Sequence, residues 1–144
     1  MYDERFITPM RQELTQVGVH ELRTAAEVDA KFANAQGTAL VVVNSVCGCA
    51  SRYARPAVAM ALQHGARPDH LFTVFAGQDA DATRRMREFI TGYGPSSPSI
   101  ALFKDGKLVH MMERWQIDGR AAHEIAADLA AAFDDHCGAA SAAQ

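Results

Sequence analysis

Two cysteines separated by a single glycine, Cys47-Gly48-Cys49, stand directly after the apolar run of residues 38–46. The chain has only three cysteines in 144 residues, so placing two of them together points to thiol chemistry. A sulfur held where a strand ends and a helix begins faces unpaired backbone N–H groups, here those of residues 48 to 50, and the positive end of the helix dipole. Arg52 and Arg55, one to two turns along, add positive charge, and no carboxylate lies within 40–56 to oppose them. The expectation is a Cys47 thiol acidified below its free value of about 8.5 and able to attack a disulfide as thiolate.

Residues two apart on a helix point in nearly opposite directions, so a Cys47–Cys49 bridge has to distort the first turn. Gly48, without a side chain and with wide φ freedom, permits that distortion, and the bridge is expected to be strained. The reaction class is thiol–disulfide exchange, with Cys47 attacking and Cys49 resolving the mixed disulfide. If closure of the strained bridge is slow, a small-molecule thiol does the resolving, and both branches stay open. The rival chemistry is metal binding by two thiolates with Cys137 or a histidine. Structural zinc sites pair cysteines two to four residues apart, though, and no second pair exists here. The six histidines show no HxH or HExxH spacing, so no metal site is assigned.

The elements that must hold these sulfurs follow from periodicity and caps. Thr8-Pro9 predicts a helix start that Gly18 ends, and "VHELR", 19 to 23, reads as a short edge strand. Thr24 and Glu27 form a capping-box pattern for a helix with Val28 and Phe32 on one face, ending at Gly37. The unalternating run 38–46 predicts a strand buried on both faces. "SRYARPAVAMALQHG" then predicts a helix kinked by Pro56 and closed by Gly65. A second buried strand is expected over 70–76, and a helix capped by Asp79 or Asp81 carries Met86, Phe89 and Ile90 to Gly92. "SIALF-KDGK-LVHMM" predicts a type I′ hairpin, and Asp118 is expected to cap a last helix with Ile125, Leu129, Ala132 and Phe133 inward.

That order predicts an α/β fold with a thioredoxin-like mixed sheet: central parallel strands, a C-terminal β-hairpin and helices on both faces. Residues 1–137 are read as one domain with an N-terminal helical extension, and 138–144 as a frayed tail. In such a fold Ser97-Pro98, directly before the hairpin, is expected to be cis and to leave the Ser97 backbone free to pair with an extended substrate beside Cys47. Hydrophobic residues make up 49% and charged residues 22%, with a net charge of −3. This is globular composition with no electrostatic call for nucleic acid or a membrane surface. "MYDERFITPMRQEL" lacks the apolar stretch of a signal peptide or anchor, so a cytoplasmic location is expected, where thiols stay reduced.

Taken in order, "LVVVNSVCGCA", "ARPA", "VFAGQDADAT", "MREF", "PSSPS" and "AAFDDHC" resemble the bacilliredoxin family, over roughly residues 5 to 137. The resemblance implies a redoxin that removes bacillithiol from S-bacillithiolated cytoplasmic proteins, with some disulfide isomerase activity. By this likeness Cys47 takes up bacillithiol, a co-substrate rather than a bound cofactor, and Cys49 is the resolving thiol. Cys137 matches a family cysteine to which no role is given. "MMERWQIDGR", 111 to 120, departs from the familiar pattern. The alternatives are a general protein disulfide isomerase or a thiolate metal-binding protein.

Overall fold

The computed structural model describes residues 1–138. At its centre lies β2, Thr38–Asn44, with every residue buried. Because side chains alternate across a strand, β2 supplies both cores: Leu40 and Val42 to one, Ala39, Val41 and Val43 to the other. β3, His70–Phe75, pairs with it in parallel on one side. The two-residue edge strand β1, His20–Glu21, pairs in parallel with β3. On the other side β4, Ser99–Lys104, is antiparallel to β2, and β5, Lys107–Met112, is antiparallel to β4. The resulting order is β1-β3-β2-β4-β5, the mixed sheet expected from the pattern. Asp105 at φ 48° and Gly106 at φ 82° turn the hairpin, as an Asp-Gly type I′ turn requires.

The first core contains Leu14 of α1 (Glu4–Thr15), Ala57, Val58 and Ala61 of α3 (50–61), and Ile125, Leu129 and Phe133 of α6 (Ala122–His136). The second packs Val28 and Phe32 of α2 (25–32), and Ala82 and Met86 of α4 (Ala80–Arg87), on the opposite face. Phe32 meets Phe72, Phe89 and Phe103 edge-on.

Several boundaries differ from the sequence expectation. α1 starts a turn before Thr8-Pro9, with the Asp3 carboxylate accepting from the Arg5 N–H, and Pro9 lies inside it. The helix is held from outside: buried Arg11 pairs with Glu4, Glu21 and Asp79, joining α1 to β1 and to the start of α4. Asp79 stands at the α4 cap, but its carboxylate serves Arg11 instead of the helix N–H groups. Thr24 caps α2 through the Glu27 N–H, while the Glu27 carboxylate reaches the N–H of Arg23. α2, a turn at Ala25–Glu27 widening into π-helical Val28–Phe32, ends well short of Gly37.

α3 is likewise wide at Ala50–Ala54 and regular over Arg55–Ala61, so it stops before Gly65. The π turn falls directly before Pro56 and routes the Arg55 N–H to the Ala50 carbonyl, accommodating a residue that has no N–H to give. An unforeseen single turn, α5, Arg114–Ile117, follows the hairpin. Asp118 follows as its C-terminal cap, and at the start of α6 the Glu124 carboxylate reaches back to the Ala121 N–H instead. Of the expected tail, Gly138 accepts a hydrogen bond from the Arg67 N–H, and 139–144 lie outside the described residues.

Candidate active site

β2 ends at Asn44, and three residues later Cys47 opens the helical stretch 48–61. Its carbonyl accepts from the Ala50 and Ser51 N–H groups, the first bonds of that helix. Cys47 is half-buried, Gly48 is exposed and Cys49 is 8% exposed, so the sulfurs share a helix start but not a solvent environment. Both are free thiols.

Burial opposes ionisation of Cys47, but other groups outweigh it and hold the thiol below its ordinary value. These are the Ser45 hydroxyl, the Ala50 and Cys49 backbone N–H groups and the charge of Arg114. Ser45 Oγ donates to Cys47 Sγ at 3.2 Å and accepts from the Cys47 N–H at 3.4 Å. Cys49 moves the other way. Burial raises it first, then the nearby Asp118 carboxylate, then the negative charge of Cys47. The two sulfurs are thus set in opposite directions, Cys47 toward easier ionisation and Cys49 away from it.

Arg52 and Arg55 are the cations expected beside Cys47, and neither is among the groups that act on its thiol. Arg52 is exposed. Arg55 is 2% exposed and fully engaged: Nε bonds the Glu13 carboxylate, and Nη1 bonds both Asn44 Oδ1 and the Ser45 carbonyl. It braces the loop that carries Ser45, and the cation acting on the sulfurs is Arg114 of α5. Gly48 does not have a positive φ, and a Cβ added there meets nothing within 4 Å. The dithiol form therefore does not require glycine for room.

The Ser97-Pro98 peptide is cis. Ser99 pairs with Val43, so this proline turn flanks the end of β2 that leads into Cys47. Cys137 is elsewhere: its neighbours Thr38, Asp69 and Lys104 lie at the opposite end of β2, a strand length of roughly 20 Å away. Among the described residues no group of three or more His, Cys, Asp or Glu side chains is arranged to hold a metal ion. No helix among them is long and apolar enough to cross a membrane.

Sequence reasoning missed Ser45, Arg114 and Asp118. Ser45 is legible in hindsight as a hydroxyl two residues before Cys47. Arg114 and Asp118 are separated from the cysteines by more than sixty residues, and nothing local reports their approach.

A thioredoxin fold with an acidified thiol at a helix start and a second thiol behind it defines a thioredoxin-fold oxidoreductase. The fold is shared with a thioredoxin of Fasciola hepatica, at a TM-score of 0.55 and 18% identity over 82% of this chain and 99% of that one. Residues 2–137 match the profile of a family described as Disulphide isomerase. The chain is 50% identical to a bacilliredoxin of Koribacter versatilis, covering 100% of this chain and 99% of the relative. It is 51% identical to one of Bacillus licheniformis, covering 94% and 95%. The chain belongs to the bacilliredoxin family.

Proposed function

We propose that the protein reduces mixed disulfides between bacillithiol and client proteins. The Cys47 thiolate attacks the bacillithiol sulfur, a Cys47–bacillithiol disulfide forms, and the old S–S bond breaks with its electron pair on the client sulfur, which takes a proton from solvent. Cys49, deprotonated, then attacks Cys47 and expels bacillithiol as thiolate, or a second small thiol attacks the bacillithiol sulfur and leaves Cys47 free. The observation that carries the reading is the opposed setting of the two sulfurs, the accessible one lowered and the buried one raised. A relative's name supplies the identity of the small thiol. Gly48, exposed beside Cys47, and the cis Ser97-Pro98 turn are the places where the client's extended backbone would dock.

Mass spectrometry after mixing with an S-bacillithiolated protein tests this. The wild type and Cys49→Ser should acquire the bacillithiol mass and Cys47→Ser should not; an adduct that persists in Cys47→Ser but vanishes in Cys49→Ser reverses the assignment. The family description favours a second reading, general disulfide isomerisation by the same thiols. Refolding of a scrambled substrate at equal rates with and without bacillithiol would support it.

A further inference from the structure

Resting on the exchange reading above, we infer that Arg114 and Arg87 form a carboxylate-reading subsite for the small-thiol half of the substrate, on either side of the Ser96–Ser97 segment that precedes Pro98. The Arg114 backbone N–H donates to Ser96 Oγ at 2.8 Å, and its Nη1 to the Ser97 carbonyl at 3.5 Å. From the other side Arg87 Nη2 donates to the Ser96 carbonyl at 3.4 Å. The same turn borders the end of β2 that delivers Cys47, since Ser99 pairs with Val43. Two guanidinium groups are thereby tied to the loop beside the attacking sulfur.

Among the described residues neither group is in an ion pair, whereas most of the other arginines are. Glu113, the acidic residue next to Arg114, gives its carboxylate to the Trp115 indole N–H. The Arg87 Nε is buried without a hydrogen-bond partner, and the side chain lines a cleft of about 150 Å³ with Ile90, Tyr93, Pro95, Ser96 and Met111. That Nε is closed off from the cleft, so the groups open to an incoming carboxylate are the terminal nitrogens of the two guanidinium groups, which offer charge-assisted N–H···O bonds and face no competing carboxylate. The cleft holds a substituent of about half a dozen heavy atoms, the scale of an acidic arm on a small thiol and too small for a folded partner. The charge of Arg114 also acts on both sulfurs, so one residue would favour the attacking thiolate and hold the anionic group it attacks.

The test uses one neutral cysteine peptide in mixed disulfide with 3-mercaptopropionate, 2-mercaptoethanol or cysteamine. Transfer of the small thiol to Cys47 of the Cys49→Ser chain is followed by mass, each rate divided by that of a neutral free thiolate to remove intrinsic reactivity. The anionic thiol should transfer about five- to tenfold faster than the cationic one, with the difference shrinking in high salt. Arg114→Gln and Arg87→Gln should flatten the preference while Arg114→Lys retains much of it. A general loss of thiolate would instead slow all three substrates equally. Equal normalised rates for the three thiols overturn the subsite and leave the exchange reading standing. So does a gain that follows acidic residues in the peptide and ignores the small thiol. No transfer from any substrate overturns the exchange reading, and the subsite with it.

Discussion

Ser45→Ala removes one hydroxyl from beneath the attacking sulfur. Ser45 is 7% exposed; its hydroxyl donates to Cys47 Sγ at 3.2 Å and accepts from the Cys47 N–H, while Arg55 fixes the Ser45 carbonyl. A hydrogen bond to a charged group contributes about 1.5–3 kcal/mol. Because Cys47 is half-buried and water can replace part of the lost bond, the low end applies. At about 1.4 kcal/mol per pH unit, the Cys47 titration should move up by about one unit. The donors that remain, the Cys49 and Ala50 N–H groups and Arg114, should keep it from rising further.

The kinetic consequence changes sign with pH. Below both midpoints the variant has about tenfold less thiolate, but each thiolate is about threefold more nucleophilic, since nucleophilicity rises with basicity by a slope of about 0.4–0.5. Net attack should therefore be about threefold slower in the acidic range and about threefold faster once both forms are fully ionised. The assay is ultraviolet thiolate absorbance against pH, with alkylation rates in parallel, in a Cys49→Ser, Cys137→Ser background where Cys47 titrates alone. An unmoved midpoint refutes the assigned hydrogen bond. Uniform slowing at every pH refutes it too, because it would mean that Ser45 only shapes the loop.

Other perturbations separate bracing from chemistry. Arg55→Met leaves the buried Ser45 carbonyl without its donor and should cost about 2–3 kcal/mol, lowering Tm by about 5–10 °C in calorimetry, with a smaller rise of the Cys47 midpoint; an unchanged Tm would show that the guanidinium holds nothing. In the Cys49→Ser background, Cys47 should stabilise the reduced protein relative to Cys47→Ser. A lowered thiol contributes stability above its unfolded value and loses it as pH falls through the folded value, so the difference in denaturant midpoints should grow with rising pH, and the opposite slope would contradict the lowered setting. Phe32→Ala, which empties the centre of three edge-on ring contacts, should cost about 3–5 kcal/mol without moving the Cys47 titration.

What the sequence makes legible is what local pattern can encode. β2 is an unbroken apolar run because both its faces are covered, and Asp105-Gly106 names its own turn. The Cys47 helix start follows from the same two facts. The misreadings share a physical origin, since each side chain could serve either a local or a distant partner. Asp79 is a good cap residue whose carboxylate is worth more to buried Arg11, and Asp118 is another, placed at the end of a four-residue turn too short to show periodicity. Pro9 tolerates a helix interior because α1 is held by the Arg11 ion pairs across β1 and α4. Arg55 looked like a cation for the sulfur because it is near in sequence, but a side chain pointing into the loop behind Cys47 is spent on backbone. The cation came from α5, across the sheet end.

The opposed settings of the cysteines also order the proposed cycle in time. While Cys47 is a thiolate, its charge helps keep Cys49 protonated, as do burial and the Asp118 carboxylate. Once Cys47 is tied up in a mixed disulfide that charge is gone, and the Cys49 thiol loses one of the causes that raised it. Asp118 then stands as the nearest carboxylate named as acting on that thiol, and it is the candidate acceptor of its proton. Resolution by Cys49 is thus disfavoured before the first step and released by it, since the Cys47 mixed disulfide supplies both the oxidant and the loss of the opposing charge. Asp118→Asn tests the second half of this: transfer of the small thiol to Cys47 should continue at nearly the wild-type rate, while its release through Cys49 slows several-fold and the adduct accumulates. Faster release in Asp118→Asn would mean that the carboxylate serves only to hold Cys49 as a thiol, and that the proton leaves by another route.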